Sequence, residues 1–133
     1  MSVTLSCHCG GSRIRLSRAP SEAALCNCTF CARVNALRSY VAPKEAEILS
    51  AEHDVIYSAS GGLNRHHFCG RCGCHTYADT PDWASVYNMD GTLKEGATGE
   101  VPQKRNYGIN MRLAEDFDPS RLTVIELDGR SNW

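Results

Sequence analysis

Short runs in which apolar and polar residues alternate occur along most of the chain. Two clear runs, 3–10 and 12–17, are separated by the Gly10-Gly11 pair, which is typical of a tight turn. Because successive side chains of a strand point to opposite faces, the alternation predicts a β-hairpin at the start of the chain. In such a strand Cys7 and Cys9 would face the same side, with His8 turned away.

The same pattern predicts further short strands and little helix. The candidates are 37–42, 48–49, 55–57, 77–78, 84–89, 107–113 and 122–127, with a short helical turn over 43–47 and a surface loop over 90–104. These elements predict a mainly β (β-rich α+β) fold of short antiparallel strands in small sheets. No linker or repeat divides the chain, so we expect one domain over residues 1–133.

Composition excludes several classes of function. The 133 residues carry a net charge of -1, which argues against nucleic-acid binding by bulk electrostatics. No stretch approaches the ~18 apolar residues of a membrane span. The first residues lack the basic and apolar regions of a secretory signal, so we expect a cytoplasmic protein. The oligomeric state is left open.

Eight cysteines are many for such a chain, and they dominate its candidate chemistry. In a reducing compartment, grouped cysteines are more often metal ligands than disulfides, although a disulfide-rich domain is the alternative. The Cys69-Gly-Arg-Cys72-Gly motif is typical of half a structural zinc site, in which glycine permits the turn. A redox dithiol has the same spacing but is expected at a strand–helix junction, whereas the flanks here predict strands.

Two assignments of the remaining thiols are open. If Cys7 and Cys9 join Cys69 and Cys72, a closed structural zinc site of four thiolates results. The cluster Cys-Asn-Cys-Thr-Phe-Cys at 26–31 then holds a second zinc ion. The alternative gives two thiols of that cluster to the first zinc and leaves Cys7 and Cys9 without a partner. We prefer the first assignment, because it uses seven thiols in two chemically sensible sets.

A zinc ion held by Cys26, Cys28 and Cys31 would keep one position open, as catalytic zinc typically does. A substrate thiol could enter there with its pKa lowered by the metal. The five histidines offer possible fourth ligands, but nothing in the sequence selects one. Arg33 is a candidate for binding a substrate carboxylate, against the alternative of an ordinary solvated arginine. Cys74 is interpreted as a buried cysteine with apolar character rather than as a ligand.

The three cysteine motifs together resemble a known family. Cys7-His8-Cys9-Gly10, then Cys26-Asn27-Cys28-Thr29-Phe30-Cys31, then Phe68-Cys69-Gly70-Arg71-Cys72-Gly73-Cys74-His75 are similar to the glutathione-dependent formaldehyde-activating enzymes, whose domain the centromere protein V group shares. The resemblance implies a mostly β fold with two zinc sites. It implies that Cys7, Cys9, Cys69 and Cys72 hold the structural zinc, and that Cys26, Cys28 and Cys31 hold the zinc linked to activity.

Carbon–sulfur lyase chemistry follows from the same resemblance, because the family joins glutathione and formaldehyde into S-hydroxymethylglutathione or releases them. We therefore expect a zinc-dependent lyase whose partners are a small thiol such as glutathione and an aldehyde. Two alternatives are a non-catalytic zinc-stabilised binding module and a zinc or redox sensor, the latter resting on exposed thiolates that oxidise easily.

Overall fold

The computed structural model describes all 133 residues, and ten strands account for most of its regular structure. They are β1 (Val3–Ser6), β2 (Ser12–Leu16), β3 (Glu22–Cys26), β4 (Arg38–Val41), β5 (Ala46–Ala51), β6 (Asp54–Tyr57), β7 (Arg65–Cys69), β8 (His75–Pro81), β9 (Arg105–Asn110) and β10 (Thr123–Leu127). The α-helices are α1 (Thr29–Val34) and α2 (Gly129–Asn132), and 3₁₀ turns lie at Pro43–Glu45, Trp83–Ser85, Met111–Leu113 and Pro119–Arg121. The predicted mainly β class is confirmed. None of the helices has the length and apolar character needed to cross a membrane.

A three-stranded antiparallel sheet contains β1, β2 and β5 in the order β1-β2-β5. The hairpin predicted from alternation is present, with Val3 opposite Leu16 and Leu5 opposite Ile14. These four side chains are buried, while alternate positions of β2 are exposed. One face of the hairpin therefore supplies part of the core, as the period-two pattern requires.

The larger sheet has seven strands in the order β10-β3-β4-β9-β8-β7-β6. All neighbouring pairs in it are antiparallel except β3 and β10, which run parallel. This parallel pair places the C-terminal strand directly beside the strand that ends at Cys26, with Leu127 opposite Cys26. The end of the chain is thus brought to one of the cysteine clusters.

Residues from both sheets build one hydrophobic core. The buried cluster contains Val3, Leu5, Ile14, Leu16, Ala23, Leu37, Ile109, Met111 and Leu122. Burying each large aliphatic side chain stabilises the fold by about 1.5–3 kcal/mol. Because the core fastens the starts of β3 and β4 and the end of β9, it fixes the elements that flank the cysteine cluster at 26–31.

Several predicted strand boundaries were wrong. β1 ends at Ser6, so Cys7 and Cys9 lie in the turn that follows and not in the strand. The strand predicted over 84–89 is replaced by the Trp83–Ser85 turn, after which Tyr87 forms an isolated bridge with Leu93. The strand predicted over 107–113 ends at Asn110, whose side chain accepts a hydrogen bond from the Arg112 N–H and begins a 3₁₀ turn.

Candidate metal centre and its surroundings

The structure brings Cys7, Cys9, Cys69 and Cys72 together, with all four sulfur atoms within 4.8 Å of one another. The Sγ atoms of Cys7 and Cys9 are 3.7 Å apart, and those of Cys9 and Cys69 are 3.6 Å apart. Four sulfurs at 2.3 Å from a tetrahedral zinc would be separated by about 3.8 Å. The spacing of the sulfurs therefore fits a zinc ion.

Two glycine turns build this four-cysteine cluster. Gly10 follows the Cys7-His8-Cys9 motif with a φ of 81°, and Gly73 follows the Cys69–Cys72 motif with a φ of 79°. Both values lie in the left-handed region that favours glycine. The Ser12 N–H lies 3.3 Å from Cys7 Sγ, and backbone N–H groups of Cys74 and Cys9 lower the pKa of Cys72 to about 5. Cys7 and Cys69 are buried. A set of four thiols leaves a tetrahedral zinc ion no open position, which is typical of a structural site.

Cys26, Cys28 and Cys31 form a second cluster, with their sulfur atoms also within 4.8 Å of one another. No histidine or carboxylate belongs to this group. Cys26 ends β3, and Cys28 occupies the N-cap position of α1, where its Sγ accepts a hydrogen bond from the Cys31 N–H at 3.3 Å. The Cys28 N–H in turn donates to Cys26 Sγ at 3.4 Å. The start of the helix thus aims all three thiols at one point.

The protons of this cluster are shared unequally. A hydrogen bond from Cys31 lowers the pKa of Cys26 to about 7, and the same bond raises the pKa of Cys31 well above its usual range. Cys26 is therefore the first of this pair to become a thiolate near neutral pH. A set of three thiols, one of them easily ionised, suits a soft divalent ion such as zinc.

Arg38 contacts the three-cysteine cluster. The sequence did not predict this role, because Arg38 is one polar residue of a predicted strand. Its side chain is 3% exposed, and one Nη atom donates to Cys31 Sγ at 2.8 Å. The other Nη atom lies 3.2 Å from His75 Nε2, and none of the ion pairs of the chain includes Arg38. No carboxylate therefore pairs with Arg38, and the sulfur of Cys31 is the neighbour that metal binding would make anionic. Three thiolates around a divalent ion carry a formal charge of about -1, which this guanidinium would balance.

Aromatic rings pack around Phe30, next to the three-cysteine cluster. Phe30, from the cysteine motif itself, stacks on His66 with ring centroids 3.9 Å apart and on Tyr57 at 5.7 Å. His75 meets the edge of Phe30 at 6.3 Å. Burial first, and then the positive charge of Arg38, lower the pKa of His66 to about 4 and that of His75 to about 3.

We expect both imidazoles to stay neutral between pH 8 and pH 5. An unfolded histidine has a pKa of about 6.5. Below that pH the unfolded chain therefore binds protons at these histidines that the folded protein does not bind. The stability contributed by the two rings is therefore complete above about pH 6.5 and is lost as the pH falls toward the folded values. NMR of the His66 and His75 imidazoles checks this: flat shifts down to pH 5 are expected in the folded protein, and a midpoint near 6.5 for either ring would contradict it.

A hollow of about 550 Å³ lies beside Cys26, between α1 and the paired strands β3 and β10. Its lining is Leu25, Cys26, Asn27, Ala32, Asn35, Glu126, Leu127 and Asp128. Backbone and side-chain amides mix there with apolar groups and two carboxylates. The volume is within the range of small-molecule sites in proteins, about 300–1,000 Å³.

The remaining predicted residues lie outside both clusters. Arg33 is exposed and donates from Nη1 to the Thr29 carbonyl of its own helix at 2.6 Å, so its role toward a substrate stays a prediction. Cys74 is half-buried and belongs to neither set of thiols. All eight cysteines are free, so the disulfide-rich alternative has no support in the structure.

Among the comparisons with known proteins, one shows the fold and another shows the family. The chain is similar to a crystal structure of a Rhodobacter sphaeroides protein, with a TM-score of 0.64, 22% sequence identity, and coverage of 92% of this chain and 97% of the other; this similarity shows the fold. No curated protein matches the chain. The family model described as glutathione-dependent formaldehyde-activating enzyme matches residues 2–107, a range that includes both cysteine clusters. The chain therefore belongs to the glutathione-dependent formaldehyde-activating enzyme family.

Proposed function

We propose that the protein is a zinc-dependent carbon–sulfur lyase that acts on a small thiol–aldehyde adduct of the S-hydroxymethylglutathione type. The observation that carries the proposal is the three-cysteine cluster with a buried arginine at its base. In this proposal the protein holds two zinc ions, a structural one at Cys7, Cys9, Cys69 and Cys72 and a reactive one at Cys26, Cys28 and Cys31. A reducing compartment such as the cytoplasm would keep these thiols available to the metal.

All-sulfur donors support zinc as the metal of both sites, and the sulfur spacing of the four-cysteine cluster fits a tetrahedral ion. When bound by the three thiols, zinc would supply a position at which the pKa of an entering thiol is lowered. In the cleavage direction, the carbon–sulfur bond of the adduct breaks with its electron pair going to sulfur. The adduct hydroxyl loses its proton to water as the aldehyde carbonyl forms, so the products are a thiolate, the aldehyde and a proton, and atoms and charge balance.

The surrounding residues support this chemistry. Arg38 offsets the negative charge of the cluster, which favours a further anionic sulfur close by. The ring of Phe30, from the cysteine motif, stacks on Tyr57 and His66, and the neutral imidazoles of His66 and His75 add no competing positive charge. The hollow beside Cys26 is large enough for a thiol of tripeptide size, and the Glu126 carboxylate in its lining is a candidate partner for the amino group of such a ligand.

Catalysed exchange between glutathione, formaldehyde and their adduct tests the function. The adduct forms without an enzyme, so the rate is measured at equilibrium by two-dimensional exchange NMR, with zinc-loaded protein and with buffer alone. We expect the protein to accelerate exchange by tenfold or more, a barrier change of at least about 1.4 kcal/mol. C28S is the inactive control. An exchange rate equal to that in buffer would contradict the proposal.

A second candidate, the zinc-stabilised binding module, is favoured by one observation. β6 is an edge strand of the seven-stranded sheet, and its Val55, Ile56 and Tyr57 side chains are 42%, 51% and 49% exposed. Exposed apolar edges are typical of surfaces that meet other chains. The module would be inert in the exchange assay, and C28S would leave its binding to a partner intact.

A further inference from the structure

Asn27, between two of the cysteines of the second cluster, directs all of its polar groups to the C-terminal segment. Its N–H donates to the Leu127 carbonyl at 3.1 Å, and its carbonyl accepts from Arg130 Nε at 3.2 Å. Its side-chain Nδ2 donates to Asp128 Oδ1 at 2.9 Å, and its Oδ1 accepts from the Arg130 N–H at 3.0 Å. Four hydrogen bonds therefore fix one residue of the Cys26-Asn27-Cys28 motif.

Gly129 adds a close packing contact at the same place. A Cβ at this position would lie 2.9 Å from Cys26 Sγ and 2.7 Å from Trp133 Nε1, so any side chain here would displace one or both of these side chains. Helix α2 thus rests against the sulfur of Cys26 through a bare backbone. The contact is possible because the parallel pairing of β3 with β10 ends with Cys26 opposite Leu127.

From this geometry we propose that residues 127–130 form a clamp and that Asn27 is the positioning residue through which the clamp holds Cys26 and Cys28 ready for the metal. The inference rests on the proposed metal-binding role of the three-cysteine cluster. Asn27 is the single residue between Cys26 and Cys28, so its backbone conformation sets the distance between the first two thiols. Hydrogen bonds to groups just outside a metal site orient its ligands. The four-cysteine cluster makes none of these contacts, so the clamp serves only the second site.

The N27D variant is the sharpest test. It replaces the Nδ2 donor by an oxygen that faces the Asp128 carboxylate, with almost no change in volume. We expect zinc binding at the second site to weaken by about 10–100-fold, the range typical of lost outer-sphere contacts. The double variant N27D/D128N restores a donor between the two side chains and should recover most of the affinity. G129A, which carries no charge change, should weaken the same site.

N106D is the matched control, because Asn106 Nδ2 also donates to a carboxylate, Asp82 Oδ1, at 2.9 Å, and neither residue belongs to a cysteine cluster. Zinc affinity is measured by competition with a chromophoric chelator, which resolves a tight and a weaker class of site on the zinc-loaded protein. Unchanged zinc affinity in N27D, an equal loss in N106D, or no rescue by D128N would overturn the clamp. Because the readout is affinity, an inactive wild type that binds two zinc ions would refute the proposed lyase activity and leave the clamp standing.

Discussion

Replacing Cys69 and Cys72 together by serine is expected to leave the chain unfolded at room temperature. The four-cysteine cluster ties the turn after β1 to the turn after β7, and Cys9 and Cys69 are 60 residues apart in the chain. A structural zinc site contributes about 10 kcal/mol or more, which is comparable to the 5–15 kcal/mol total stability of an ordinary domain. Loss of the metal would remove most of the free energy of unfolding.

Circular dichroism and the dispersion of amide resonances measure this effect. C74S is the matched control, because Cys74 lies in the same turn, is half-buried and belongs to neither cluster. We expect C74S to fold and to bind two zinc ions. A C69S/C72S variant with a cooperative thermal transition close to that of the wild type would show that the cluster does not hold the fold together.

Replacing Cys26, Cys28 and Cys31 together by serine is expected to have the opposite result. These thiols are only half-buried, and they lie outside the hydrophobic core that joins the two sheets. The fold should therefore persist, while the zinc content falls from two ions per chain to one and adduct exchange returns to the rate in buffer. Arg38 would lose its anionic neighbours, so a modest loss of stability, a few kcal/mol, is also expected.

Elemental analysis of the purified protein, beside thermal unfolding, measures both parts of that expectation. The same C74S protein serves as the control for the loss of one thiol. Retention of two zinc ions by the triple variant would contradict the assignment of the second site. Complete unfolding would show that this cluster, too, is structural.

Local pattern was a sufficient guide to some elements and not to others. The β1–β2 hairpin follows from strict alternation around a Gly-Gly turn, and each cysteine motif follows from its spacing. Spacing left open which motifs share one ion, because Cys9 and Cys69 are 60 residues apart. Helix α1 has six residues and no apolar periodicity, so the hydrophobic pattern does not predict it. Its one local feature is the Cys28 sulfur, which caps the first turn. Strand β3 reads as a small-residue connector and becomes a strand through its long-range parallel pairing with β10.

Arg38 illustrates why the surroundings of the site could not be predicted. A single arginine in a short strand normally points to solvent, and the residues that make its burial tolerable, Cys31 and His75, lie 7 and 37 positions away. The same is true of the clamp, since Asn27 and Arg130 are separated by 103 positions. Such contacts depend on strand order, which periodicity does not encode.

Cadmium NMR of the protein loaded with cadmium in place of zinc tests the open three-cysteine site, because each cadmium nucleus reports the donors around it. We expect two resonances, one for the four-sulfur site and one for the three-sulfur site. Added glutathione should shift only the second, as its thiol takes the remaining position. A single resonance, or a second resonance that glutathione leaves unmoved, would contradict a three-cysteine metal site that is open to a thiol.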